Sequence, residues 1–110
     1  MAIHYKVLGQ SVATANQDVQ LYAVPTGKES IVSTLAVSNR GADDQLFSVR
    51  IRVAGAANDN KQYVVYQVPC ASNSAVSLNL SMTLSAGDLV MVNGASTDLS
   101  FNLFGSEVDA

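Results

Sequence analysis

Apolar and polar residues alternate with a period of two through most of the chain. Phe47, Val49, Ile51 and Val53 alternate with Ser48, Arg50 and Arg52, and Val76, Leu78, Leu80, Met82 and Leu84 alternate with Ser77, Asn79, Ser81 and Thr83. Successive side chains of a strand point to opposite faces, so each run predicts a strand with one apolar face turned inward. On a helix the same residues would scatter around the circumference. Ile31, Leu35 and Val37, with the small Ser33 on the same face, predict a third such strand, and Leu99, Phe101 and Leu103 a fourth against Ser100 and Asn102. Residues 5–8 and 19–24 carry a weaker form of the pattern. The segment 63–68 differs, because Tyr63, Val64, Val65, Tyr66 and Val68 place apolar groups on both faces. Such a strand is either covered on both sides within the domain or packs one face on a neighbouring subunit.

Turn chemistry separates these runs. Pro25-Thr26-Gly27 combines a preset φ with a residue that accepts a left-handed conformation. Residues 39–44, 55–60 and 69–74 are polar connections, Ser85-Ala86-Gly87-Asp88 is a tight one, and Asn93-Gly94 begins the next. No helix longer than a turn or two is expected. The pattern predicts an all-β fold, an eight-stranded antiparallel β-sandwich formed by one domain over residues 1–110. A jelly roll is the expected strand order and an immunoglobulin-like order the alternative. Residues 1–10 are expected to form an extended N-terminal strand or arm, which could add a strand to a neighbour by main-chain pairing.

Charge sharpens this picture. Charged residues are 14% of the chain, against about 25% in ordinary soluble domains. The outward positions carry mostly serine, threonine and asparagine. Such faces are easier to desolvate than charged ones, and interface cores are depleted in lysine, glutamate and aspartate. The formal net charge is -3, and Arg50 with Arg52 is the only close basic pair. Nucleic-acid binding needs clustered cations, so neither that function nor an anionic membrane surface is expected. No apolar stretch approaches the roughly 20 residues of a bilayer span, and the N-terminal residues lack a signal-peptide pattern, so a soluble protein is expected. One cysteine, Cys70, forms no internal disulfide and agrees with a reducing cytoplasm.

Candidate chemistry is sparse. His4 has no partner for a Ser-His-Asp arrangement, and Cys70, with no other histidine to activate it, reads as a small packed residue. Nearly all the acidic residues fall in predicted turns or at chain ends, where aspartate serves the local backbone. Asp43 and Asp44 could join Asp59 or Asp98 around calcium, although no EF-hand spacing is present. No phosphate loop, CxxC pair or HExxH motif occurs. An enzyme is not expected, nor a cofactor or a metal. The chain has no tryptophan for sugar stacking, but Tyr5, Tyr22, Tyr63 and Tyr66 are available. Arg50 and Arg52 share an outer face, where they are either solvated or aimed at a carboxylate on a partner. Together with Tyr5 and Tyr63 they are the candidate partner-binding residues.

Several runs resemble small virion proteins of tailed bacteriophages. They are Lys6-Val7-Leu8-Gly9-Gln10, Leu21-Tyr22-Ala23-Val24-Pro25-Thr26-Gly27-Lys28, Val37-Ser38-Asn39-Arg40-Gly41, Leu84-Ser85-Ala86-Gly87-Asp88, and the closing Leu99-Ser100-Phe101-Asn102-Leu103-Phe104-Gly105-Ser106-Glu107. Each motif alone is common turn chemistry, and it is their joint order over most of the chain that carries the likeness. The resemblance implies a structural role in the virion, assembled in the host cytoplasm. It points first to a capsid decoration, or cement, protein. Such proteins form trimers or dimers over capsomer junctions, so a homotrimer bound to the major capsid protein is the expectation. A tail, fibre or baseplate component is the alternative, and a carbohydrate- or receptor-binding module a further one. No catalytic residue is carried over.

Overall fold

The structure, a computed structural model, describes residues 3–110, with side chains from Tyr5 onward. Met1, Ala2 and the side chain of His4 lie outside the described residues, so the expectation for His4 is not addressed. Eight strands follow in order: β1 (Ile3–Val12), β2 (Asp18–Ala23), β3 (Lys28–Asn39), β4 (Gln45–Arg52), β5 (Tyr63–Cys70), β6 (Ser74–Ser85), β7 (Leu89–Gly94) and β8 (Leu99–Asp109). Two single-turn 3-10 helices, Val53–Gly55 and Asn60–Gln62, lie between β4 and β5.

The strands form two antiparallel four-stranded sheets in the orders β1-β8-β3-β6 and β2-β7-β4-β5. The pairs β1 with β8, β2 with β7, β3 with β6 and β4 with β5 are those of one long hairpin rolled up on itself. This is the jelly-roll order, and it excludes the immunoglobulin-like alternative. Main-chain bonds and turn residues fix the corners. Lys28 N donates to Pro25 O with Gly27 at φ 78°, and Asp88 N donates to Ser85 O with Gly87 at φ 88°.

The core lies between the sheets. Leu35, Val37, Leu99, Phe101 and Leu103 of the first sheet are fully buried against Phe47, Val49, Val90 and Val92 of the second. Phe47 and Phe101 meet edge to face, with ring centroids 6.2 Å apart. Cys70 is also fully buried, its Sγ near the carbonyls of Val37 and Ser74.

Several strand expectations change. Ile31 and Ser33 were expected to face inward with Leu35 and Val37. Instead Val32 is buried, and Ile31 and Ser33 are exposed. A bulge at Ser33 inserts one residue against β8 and reverses the alternation between Val32 and Leu35. The register of β1 on β8 slips beside it at Leu8, and that of β6 on β3 at Leu80 and Ser81. These irregularities line up as a crease across the whole first sheet. Val53 leaves the alternating face because β4 ends at Arg52, and it is exposed in the following turn. Val76, Leu78, Leu80 and Met82 point inward but are only half-buried, because β6 is an edge strand. β5 is also an edge strand, and Val64 and Tyr66 are exposed, so it is not covered on both sides. The N-terminal segment is not a free arm over its described part. From Ile3 onward it is laddered to β8 of its own chain.

Candidate interaction surfaces

The crease determines what the outer face of the first sheet presents. Two adjacent rungs place Tyr5 and Ile31 on either side of Ser106, and Val7 beside Phe104. Their exposures are 82% for Tyr5, 46% for Ile31, 45% for Val7 and 36% for Phe104. With Lys6, Ser33, Gly105 and Ser106 they line a shallow, mostly apolar groove of about 560 Å³. Single exposed apolar residues are ordinary; here they form a contiguous set on one sheet face. Gly105 belongs to this construction. A methyl group on it would lie 2.2 Å from the carbonyl oxygen of Ile31, so the close approach of β8 and β3 requires a residue with no side chain. Tyr5 thus belongs to this exposed, mostly apolar set. Val7, Ile31 and Phe104 were not singled out from sequence, because alternation assigned Ile31 to the core.

Arg50, Arg52 and Tyr63 lie on the second sheet. Arg50 is largely buried. Its Nη1 donates to Asp18 Oδ2 at 2.6 Å, its Nη2 donates to the Tyr63 hydroxyl, and its guanidinium lies 4.4 Å from the Tyr63 ring centre. Asn93 Nδ2 holds the other Asp18 oxygen at 3.0 Å. Arg50 therefore finds its carboxylate within its own chain. Arg52 donates to the carbonyls of Ala56 and Gly55 and fixes the turn after β4. Tyr63 supports the exposed Tyr66 ring edge to face at 4.8 Å. Asn60, Tyr63 and Tyr66 form a small aromatic ledge there.

A third feature is legible only when the topology is known. Residues 62–87 contain no Asp, Glu, Lys, Arg or His. This run holds both β5 and β6, the outermost strands of the two sheets on one side of the sandwich. The strands at the opposite side carry Lys6 on β1 and Asp18 on β2.

Most polar groups of the interior are engaged, the exception among the described residues being Arg50 Nε, a buried donor with no hydrogen-bond partner. Glu107, expected at a solvated chain end, is buried on β8, and its carboxylate bridges the two sheets. Tyr22 of β2 donates to Glu107 Oε2 at 2.5 Å while exchanging a second hydrogen bond with Ser30 of β3, and Lys6 Nζ donates to Glu107 Oε1 at 3.0 Å. The Tyr22 hydroxyl holds the Glu107 carboxyl below its usual pKa, against the opposing effect of burial. Burial and the adjacent carboxylate push Tyr22 up to about 12. Burial likewise raises the Cys70 thiol, which disfavours the nucleophilic thiolate. The turn aspartates serve the backbone. Asp88 accepts from the amides of Ser85 and Ala54, Asp44 from Ser72, and Asp59 caps the second 3-10 helix. Among the described residues no three metal-ligating side chains gather, and no helix is long and apolar enough to cross a membrane.

No protein family and no curated protein matches the sequence. Similarity is found among solved structures. A protein of the T13 IBDV viral particle is similar with a TM-score of 0.56 and 11% identity, over 96% of this chain and 30% of that one. A pentameric capsid protein from metagenomic phage sequences follows at 0.41 and 12% identity, over 97% of this chain and 61% of that one. The Agl-KA catalytic domain has a TM-score of 0.37 and 14% identity, over 96% of this chain and 21% of that one. This chain thus spans less than two thirds of each. At such identities the likeness is one of fold, and a single jelly-roll unit is what this chain shares with a component of an icosahedral virus particle.

Proposed function

We propose that this chain is a structural protein of a virus particle. It acts as a capsid decoration protein, a homo-oligomer that docks on the major capsid protein and stabilises the shell through protein contacts alone. The observation that carries this reading is the apolar groove of Tyr5, Val7, Ile31 and Phe104, exposed on the face of a rigid sheet. Burying such a groove contributes about 25 cal/mol per Å² of apolar surface removed from water. Many copies on one shell then multiply a modest contact energy through avidity. The fold shared with a component of an icosahedral virus particle supports the class, and so does the resemblance of the sequence motifs to tailed-phage virion proteins.

The test is a count and a contact. Particles purified from the source should contain this chain in numbers comparable to the shell subunit, as read by gel densitometry. Far fewer copies would indicate a tail or baseplate position, and absence from particles would refute the reading. Replacing Phe104 and Ile31 together with Ser should leave the fold intact by circular dichroism and abolish rebinding to particles that lack the protein. The ledge of Tyr63 and Tyr66 favours a second reading, recognition of a carbohydrate, because one ring is exposed and the other braces it. Saturable binding on a glycan array, lost in Tyr66→Ala, would support that alternative.

A further inference from the structure

Unpaired edge strands present free main-chain donors and acceptors, and proteins guard them with charge, proline, bulges or short length. Three of the four edges here are guarded. β1 carries Lys6, β2 is six residues long and begins with Asp18, and β5 contains Pro69 and slips register against β4 on both sides of Val49. β6 differs. It runs for 12 residues without charge or proline, and its one irregularity lies at Leu80 and Ser81. From Ser74 to Asn79 its pairing with β3 is regular, and its other edge has no strand partner among the described residues.

The alternation along this regular segment is self-complementary. In an antiparallel pair of two copies centred on Ser77, Val76 lies opposite Leu78 of the second copy, Ala75 opposite Asn79, and Ser77 opposite itself. Apolar inward residues then meet apolar inward residues, and neutral outward residues meet neutral ones. No pair places like charges opposite each other, which would be destabilising. Val76 and Leu78 are the residues this edge leaves half-buried, and a second sheet continuing the first would complete their cover. The geometry points to a twofold pairing of β6 with β6 of a second copy, joining two four-stranded sheets into one of eight. The occupant is this same chain because the alternation of residues 75–79 matches itself about Ser77, inward residue to inward residue, with no charge to oppose it. The bulge at Leu80 and Ser81 ends the paired segment. This pairing is independent of where the protein acts, and it differs from the threefold assembly that the sequence resemblance suggests.

The pairing is tested on the isolated chain. Size-exclusion chromatography with light scattering should give the mass of two chains at micromolar concentration. Ala75→Lys with Asn79→Lys sets two lysine pairs opposite each other and should give a monomer that keeps the wild-type circular dichroism spectrum. Ala75→Lys with Asn79→Glu sets each lysine opposite a glutamate and should remain dimeric. Antiparallel rungs bring Cα atoms to about 4.5–5.5 Å, within disulfide reach, so Ser77→Cys should form a covalent dimer on mild oxidation while Cys70 stays buried. A wild-type monomer, a trimer, a double-lysine variant with the wild-type mass, or a Ser77→Cys protein that does not cross-link would each overturn the pairing. None of these results depends on particle binding, so the proposed virion role stands or falls separately.

Discussion

Tyr22→Phe isolates the hydrogen bonds that join β2 to Glu107 and Ser30 across the core. The substitution removes a hydroxyl that donates to Glu107 Oε2 and bonds Ser30 Oγ, both at 2.5 Å, and leaves the ring in place. Glu107 is buried and retains Lys6 on its other oxygen. A hydrogen bond to a charged group contributes about 1.5–3 kcal/mol, so the variant should lose about 2 kcal/mol at pH 7. The pH dependence follows from the two directions. Glu107 is held below its ordinary value, so its contribution is present above the unfolded glutamate pKa of about 4.3 and is lost as pH falls through the folded value. The Tyr22 hydroxyl is raised, so its contribution is complete below an unfolded pKa of about 10 and is lost as pH climbs towards 12. Urea unfolding of both proteins at pH 7, 3 and 11 is the assay. The gap between wild type and variant should narrow at both extremes. A gap under about 0.5 kcal/mol at pH 7, or one that stays constant down to pH 3, would refute a charge-assisted bridge.

Gly105→Ala places a methyl group 2.2 Å from the Ile31 carbonyl and 3.0 Å from Leu8 Cδ1. It should cost at least the upper part of the roughly 1–3 kcal/mol range for overpacking, read as a lowered urea midpoint. Ile51→Ala should cost about 2–5 kcal/mol through a core cavity. Leu80→Ala, on a half-buried edge, should cost under about 2 kcal/mol, which the same unfolding experiment separates. The Cys70 thiol, fully buried and raised in pKa, should react with an aromatic disulfide reagent only after denaturant is added. Rapid reaction of the native protein would show that the β5–β6 corner opens.

Strand positions were legible because one face of each strand is buried and the other is not. Phe47, Val49 and Ile51 of β4 and Leu99, Phe101 and Leu103 of β8 keep their alternation and their burial. Where alternation breaks, it misled. Ser33 has no property that marks a bulge, so Ile31 was assigned to the core and the groove beside Phe104 was hidden. Glu107 and Tyr22 are 85 residues apart, and only the pairing of distant strands brings them together. The same holds for Asp18 and Arg50, 32 residues apart, one of which was read as a turn residue and the other as an outward arginine. The uncharged run 62–87 is visible in the sequence, yet it becomes a surface only once β5 and β6 are known to be the outermost strands of one side.

Rolling the chain up as a single hairpin has a kinetic consequence. Val12 faces Ser100 and Ile3 faces Val108, so the opening strand finds its partner only in the closing one. Contacts so distant along the chain must wait for large loops to close, which slows folding relative to locally paired proteins. A nascent polypeptide emerging from the ribosome would have to remain open until β8 is made. During that interval the uncharged middle of the chain is the part most in need of shielding from its neighbours.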